Sequence, residues 1–205
     1  MTGITLSTLA LVMGAALVAA NLWGVVRPAA MAAAARKFPR HIPTGVVLVL
    51  AATAWFIYNV SQESLSDFAR MKVWFYVLFA AVGLGTCIFV HDFLAVRGLA
   101  VLMLLLAKLM VDTARWTDSS WRLVMVVWAY LMVLAGMWWT VSPWRVRDII
   151  EWFCASESRM RKICAVRLGF GLLLIALSLT AYRQSPTRPA LTAVPTDVPT
   201  ALAAR

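Results

Sequence analysis

Residues 123–141 read LVMVVWAYLMVLAGMWWTV, a run of 19 residues without a charged side chain. About 20 apolar residues in a helix are enough to cross the hydrocarbon core of a bilayer. A water-soluble helix needs polar residues every three or four positions, whereas this run is apolar on every face. The run therefore predicts a transmembrane helix, and the same pattern recurs along the chain.

Six such runs are predicted to span a membrane. They cover residues 4–26, 42–60, 73–90, 93–111, 123–141 and 163–182. Hydrophobic residues make up 62% of the chain and charged residues only 14%, and the charged residues cluster between the runs. The pattern predicts an all-α integral membrane protein with about six transmembrane helices arranged as three helical hairpins. Because two residues separate the third run from the fourth, we expect these two to form a tight hairpin.

Two features leave alternatives to this division of the chain. If Arg97 draws the fourth run toward the interface, its membrane segment shortens to residues 99–111, and the chain crosses five times. A cleaved signal peptide is the alternative for the first run, but that run is long and no Lys or Arg precedes it. We favour six crossings within one transmembrane domain, residues 1–182, followed by a disordered tail rich in Pro, Thr and Ala, residues 183–205.

The first and fifth connections are predicted to contain interfacial amphipathic helices. Residues 27–41 include Pro28, and proline suits the first turn of a helix. In residues 142–162, Ser142 is a natural N-cap before Pro143. Apolar residues then follow at helical spacing, namely Val146, Ile149, Ile150 and Phe153. Both connections follow a Trp-containing run, open at a proline and precede a glycine, so they indicate an internal repeat, although their predicted lengths differ.

The charge distribution predicts an orientation. Ten Lys or Arg residues lie in or beside the odd connections, and seven lie on the opposite side or in the tail. Positive loops face the cytoplasm, so both termini are expected outside a bacterial cytoplasmic membrane. The net charge of +10 then meets anionic lipid headgroups, and nucleic acid is not an expected partner because no basic, aromatic-rich soluble module is present.

Five polar residues are the candidates for function. Lys108 lies inside the fourth span, where charge is costly and often functional. Asp112 lies four residues on, so we favour an ion pair with a side chain that reaches the interface. His91, Asp92 and Arg97 surround the turn before that span. His91 and Asp92 could relay protons, but we favour Asp92 as a cap of the following helix.

No catalytic, cofactor or metal site is predicted. The three cysteines form no C-x-x-C pair and are read as free thiols, and the two histidines lie outside the spans that would hold a haem. Small residues four apart are read as helix-packing positions. They are the pairs Ala10/Gly14, Ala81/Gly85 and Ala165/Gly169.

Residues 136–182 contain a helix, a proline, a basic stretch and Arg167-Leu-Gly169 at the start of the next helix. This part resembles small two-helix bacterial inner-membrane proteins of unknown function, and the resemblance implies no activity. The sequence favours a non-enzymatic structural or accessory subunit that packs against itself or a larger complex. The alternative is a small transporter or permease built from repeated helical hairpins. Polar residues facing a shared cavity would favour transport, and polar residues confined to the interfaces would favour the accessory role.

Overall fold

The computed structural model describes residues 5–62, 71–90 and 92–183, and these residues form helices joined by short turns. Six long helices are α1 Leu6–Val26, α3 Ile42–Gln62, α4 Lys72–Phe89, α5 Leu94–Arg115, α6 Arg122–Val141 and α8 Glu157–Leu179. Two shorter helices, α2 Pro28–Lys37 and α7 Pro143–Cys154, fill the first and fifth connections, and a 3-10 turn, Phe38–Arg40, follows α2.

All six long helices are long and apolar enough to cross a membrane, which confirms the predicted all-α, multi-pass architecture. The fourth helix is continuous from Leu94 to Arg115, so Arg97 does not shorten it. At about 1.5 Å per residue its 22 residues extend roughly 33 Å, enough to span the hydrocarbon core. The structure therefore supports six crossings rather than five.

The start of the last helix differs from the prediction. It begins at Glu157 instead of residue 163, so Arg159, Arg161 and Lys162 form its first turns. A search for apolar runs stops at these charges, but a helix continues through basic residues that reach the headgroup layer. The fifth connection is correspondingly shorter than predicted and consists of α7 with one or two residues on each side.

The long helices pack as three pairs, which are α1 with α8, α3 with α4, and α5 with α6. α3 also packs along α5 and joins two of these pairs. The expected tight packing of α4 on α5 is wrong, because among the described helices only α3 packs along α4. Glycines explain why α4 and α5 each pack on α3 and not on each other. At Gly83 of α4 there is no room for a Cβ beside Thr53 of α3, and a Cβ on Gly98 of α5 would lie 2.8 Å from the Leu48 Cβ of α3.

Among the residues that the structure describes, one of the three predicted small-residue pairs packs against another helix. Ala10 is fully buried, and a Cβ on Gly14 would lie 2.8 Å from the carbonyl oxygen of Gly171 in α8. In contrast, a Cβ on Gly85 or Gly169 would meet nothing within 4 Å. The pairs that contain them therefore do not mediate packing between the described helices, because they lie on outer faces of α4 and α8.

The main core lies between α1, α5, α6 and α8. Met110, Met125 and Leu174 are completely buried there, and the rings of Trp128 and Phe170 meet edge to face at 5.1 Å. This core joins the first and last spans to the α5–α6 hairpin at the end of the bundle opposite α2 and α7. Apart from Arg183, the predicted tail 183–205 lies outside the described residues.

Candidate functional site

The two short helices begin with nearly identical corners. Arg27 precedes Pro28 with φ −129° and ψ 70°, and Ser142 precedes Pro143 with φ −130° and ψ 69°. The backbone N–H of each donates to the carbonyl of a tryptophan four residues earlier, Trp23 or Trp138, at 2.9 and 2.8 Å. Proline fits after each corner because the N–H that it lacks has no partner in a first helical turn. Both predicted N1 prolines are confirmed, although the Ser142 hydroxyl makes no capping hydrogen bond.

These corners belong to a repeat without gaps. Each motif reads Trp-x-x-Val-x-Pro, and the second lies 115 positions after the first. The same shift relates the starts of α3 and α8, at Ile42 and Glu157. The units α1–α2–α3 and α6–α7–α8 therefore match in length, and the apparent difference between the connections came from placing the last helix too late.

Equivalent positions of the two units are also buried alike. Ala10 and Met125 are both buried, as are Gly14 and its counterpart in α6. The same is true of Val49 and Cys164 in the third helix of each unit. The two units pack differently, however, because α1 lies along α8 whereas α6 does not lie along α3. The two units thus share the order of their helices and the burial of equivalent positions, but they do not pack through a symmetric interface.

The two short helices contact each other at one end of the bundle and form what we call the α2–α7 layer. Arg36 of α2 donates from Nη2 to the carbonyl oxygen of Cys154, the last residue of α7, at 2.8 Å. A cation at a helix C-terminus satisfies an unpaired carbonyl and interacts favourably with the helix dipole. The Cys154 thiol in turn lies 3.7 Å from the carbonyl oxygen of Ala32. Two helices are thereby held in one layer through contacts between residues that lie 118 and 122 positions apart in the chain.

The apolar stripe of α7 is buried or partly covered by the rest of the protein. Val146 is buried, and Ile149, Ile150 and Phe153 are partly covered. Ile150 and Phe153 pack against a second cluster that contains Ala32 of α2. The helical spacing of the stripe is confirmed, and α2 and α8 cover part of it.

The outer side of α7 carries aromatic and charged groups. Trp144 and Trp152 are 50% and 60% exposed. The Arg159 guanidinium lies 4.4 Å from the ring centroid of Trp152 and donates to the Trp152 carbonyl at 2.6 Å. Arg147 pairs with Asp148 at 3.1 Å. Exposed tryptophan beside arginine is typical of a surface at headgroup depth.

Two cysteines lie beneath this layer, in the cluster formed by Ala32, Cys154, Met160 and Cys164. Burial raises the pKa of the Cys154 thiol above its usual value, and the nearby Arg36 charge offsets part of that rise. The thiol is therefore protonated near neutral pH. Among the described residues, no group of three or more His, Cys, Asp or Glu side chains is placed to hold a metal ion.

The five polar residues predicted as candidates are not brought together. Lys108 and Asp112 form the predicted ion pair, with Nζ and Oδ2 2.8 Å apart and side chains that are 49% and 54% exposed. They lie toward the C-terminal end of α5, whereas the α2–α7 layer meets its N-terminal end. His91 lies outside the described residues.

The turn before α5 differs from its predicted capping. Asp92 is exposed and does not cap the helix, because Phe93 occupies the N-cap in a left-handed conformation, with φ 55°, and makes no side-chain cap. Arg97 is half-buried, and its Nε is buried without a hydrogen-bond partner among the described residues. A proton relay through His91 and Asp92 stays a hypothesis, because His91 lies outside the described residues.

Polar groups within the spans are mostly bonded to their own helices. Asn21 donates to the Leu17 carbonyl at 2.8 Å, and Asn59 donates to the Trp55 carbonyl at 3.0 Å. Threonine hydroxyls in α3, α4, α5 and α6 donate in the same way, four residues back. Two shallow surface depressions, of about 320 and 350 Å³, lie beside the start of α6, far from the α2–α7 layer.

No protein-family model, curated protein or solved structure matches this chain. Sequence reasoning missed the contact of Arg36 with Cys154 and the grouping of the sulfur side chains. It also missed the exact register of the repeat, although the recurring Trp-x-x-Val-x-Pro motif was a visible signal.

Proposed function

We propose that this protein is a non-enzymatic accessory protein of a bacterial cytoplasmic membrane and that its α2–α7 layer binds anionic lipid headgroups on the cytoplasmic side. The observation that carries this proposal is the layer itself. Two helices from distant parts of the chain hold Trp144, Trp152 and several arginines at one end of the bundle. A surface of this kind offers charge for phosphates and aromatic rings for the headgroup boundary.

The placement of polar groups supports an accessory role over transport. A permeation path needs polar side chains that face a common cavity at membrane depth. Here Asn21, Thr53 and Thr86 donate to carbonyls of their own helices. Lys108 and Asp112 pair on an exposed side of α5. These groups therefore offer few free donors or acceptors to a substrate.

A small transporter is the second candidate, and the ungapped repeat favours it. Parallel repeats are a recurring feature of transporter folds. The matching corners at Arg27 and Ser142 give the two units a common framework, but duplicated helices also occur in proteins that only pack against partners. Ion- or solute-dependent flux through reconstituted vesicles that is abolished by Lys108→Gln would favour transport over the accessory role.

Lipid retention by the full-length protein tests the proposed function. Nanodiscs that mix phosphatidylcholine and phosphatidylglycerol would be compared by native mass spectrometry for the bound anionic lipid. A double variant, Arg145→Gln with Arg161→Gln, removes two exposed charges at the α2–α7 end. Because each cation near a surface contributes about 1 kcal/mol toward anionic lipid, we expect roughly 30-fold weaker phosphatidylglycerol binding.

The matched control removes two exposed arginines at the opposite end, Arg115→Gln with Arg183→Gln. We expect this variant to retain phosphatidylglycerol as the wild type does. Equal losses in both double variants would show that binding follows net charge alone, and the proposed role of the α2–α7 layer would then be wrong.

A further inference from the structure

Four sulfur-containing side chains from three helices meet beneath the α2–α7 layer. Cys164, Met160 and Cys154 are 2%, 6% and 7% exposed, and they form one buried cluster with Ala32. Met31 of α2 packs against the same cluster and is partly exposed. The chain has only three cysteines, and two of them lie here. Neither the proposed lipid contact nor the main core uses these groups.

The spacing of two of the sulfurs suits a shared metal ion. Met160 and Cys164 are one turn apart on α8, and the Cys164 Sγ lies 3.8 Å from the Met160 Sδ. Two metal–sulfur bonds of about 2.3 Å at the 120° of a trigonal site hold their sulfurs about 4.0 Å apart. An ion could therefore bind both sulfurs with a shift of only a few tenths of an ångström.

Gly24 brings the remaining helices close to this pair. A Cβ at Gly24 would lie 2.5 Å from the Cys164 Sγ and 3.3 Å from the Met31 Cγ. The absent side chain thus leaves α1 in contact both with the Cys164 thiol of α8 and with Met31 of α2. Cys154 reaches the same cluster from α7, where its Sγ lies 3.7 Å from the carbonyl oxygen of Ala32, the residue after Met31.

We infer that Cys154, Met160 and Cys164 form a binding site for a soft monovalent metal ion of the Cu⁺ type, with the partly exposed Met31 at its entrance. Thiolate and thioether ligands select Cu⁺, whereas the side chains of this cluster carry no oxygen or nitrogen for ions that prefer those ligands. Binding converts one Cu⁺ and two thiols into a copper dithiolate of charge −1 and releases two protons to solvent. The Met160 thioether donates a lone pair and loses no proton.

Positive charge beside the cluster would offset the charge of the dithiolate. Arg36 bonds to the carbonyl of Cys154 at 2.8 Å. Arg167 follows Cys164 by three residues on the same helix, so the two lie on neighbouring turns. A buried anion is costly unless opposite charges or donors stand nearby, and these two arginines meet that need. This inference is independent of the proposed lipid binding.

Competitive titration of the full-length protein in detergent tests the site. Under anaerobic conditions, Cu⁺ would be presented as its coloured bicinchoninate complex, with ascorbate as reductant. We expect one equivalent of Cu⁺ per chain to be withdrawn from the chelator. Removing a residue that only hydrogen-bonds to a metal ligand weakens metal sites by about 10–100-fold. Removing a ligand itself costs more, so Cys164→Ala and Cys154→Ala should each weaken Cu⁺ binding by at least about 100-fold.

Two further variants keep the test decisive. Met160→Leu keeps a similar apolar volume, so we expect it to fold and to weaken Cu⁺ binding by at least about tenfold. Cys87→Ala, which removes the cysteine outside the cluster, should bind as the wild type does. The inference would be overturned if wild-type protein withdrew no copper, if Met160→Leu bound with unchanged affinity, or if Cys87→Ala abolished binding. Any of these results would leave the sulfurs as ordinary apolar packing.

Discussion

At each end of this helical bundle, single side-chain hydrogen bonds connect segments that are distant in the sequence. Tyr182, just after α8, is only 4% exposed, and its hydroxyl donates to the Trp121 carbonyl at 2.8 Å. The Ser178 hydroxyl donates to the carbonyl of Ser7 at 2.6 Å and ties the last helix to the first. At the other end of the bundle, Arg36 plays the same part for α7. In each case one side chain satisfies a carbonyl that belongs to a distant segment.

Tyr182 makes stability depend on pH at its alkaline limit. Burial raises the pKa of Tyr182 to about 12, above its ordinary value of 10.0. The neutral phenol therefore contributes stability in full below pH 10, and this contribution is lost as pH rises through about 12. Tyr182→Phe should cost about 1 kcal/mol at neutral pH and should show a smaller fall in melting temperature between these pH values. Thermal unfolding of both proteins in one detergent provides the measurement, and parallel pH profiles would contradict the prediction.

The ion pair of Lys108 and Asp112 is expected to matter little for folding. Both side chains are about half exposed, and such i, i+4 pairs contribute less than about 1 kcal/mol. Lys108→Gln should therefore leave the expression and melting temperature of the purified protein nearly unchanged. Loss of folded protein on Lys108→Gln that is rescued by Asp112→Asn would instead reveal a coupled pair in a poorly solvated setting.

At the scale of helices, composition determines where each element lies but not which neighbour it packs against. The predicted spans agree with the observed helices within about four residues, except at the start of α8, because apolar runs must be helical in a bilayer. Pairing was predictable only in part, since lipid is as apolar as the helices and packing depends on close contact at small residues. Gly14 and Gly85 both follow an alanine four residues earlier, yet only Gly14 faces another helix.

Glycine substitutions test that distinction directly. A Cβ at Gly14 would lie 2.8 Å from a backbone oxygen of α8, so Gly14→Ala must shift one helix and should destabilise the protein by about 1–3 kcal/mol. Gly169→Ala meets open space and should be neutral or stabilising by up to about 1 kcal/mol. Thermal unfolding in detergent measures both effects. If the two variants lost the same stability, the α1–α8 contact could not depend on close approach at Gly14.

The contacts that form the α2–α7 layer and the sulfur cluster could not be predicted from any local sequence pattern. Basic residues, an amphipathic stripe and the two prolines were all visible in the first and fifth connections. The contact of Arg36 with Cys154 was not visible, because it joins residues 118 positions apart. Cys154 and Cys164 have no recognisable metal-ligand spacing, since Met160 supplies the sulfur between them and thioethers are rarely counted in such patterns.

For the molecule as a whole, the gapless repeat and the charge asymmetry bear on the same question, the orientation in the membrane. Units whose first helices are the first and fifth spans enter the bilayer in the same direction, because four crossings separate them. Their short helices, α2 and α7, consequently lie on one side, as their contact requires. The ten Lys and Arg residues of the odd connections lie at that end, against seven on the other side and in the tail.

We therefore predict that the α2–α7 layer faces the cytoplasm and that both termini lie on the opposite side. In a background of Cys87→Ala, Cys154→Ala and Cys164→Ala, single cysteines would be introduced at two exposed positions, Ala33 in α2 and Ser120 between α5 and α6. An impermeant maleimide applied to intact cells should label Ser120→Cys and spare Ala33→Cys, and both should react after detergent lysis. Labelling of Ala33→Cys alone in intact cells would reverse the orientation. The α2–α7 surface and the sulfur cluster would then face the outside, where headgroups and available metal ions differ.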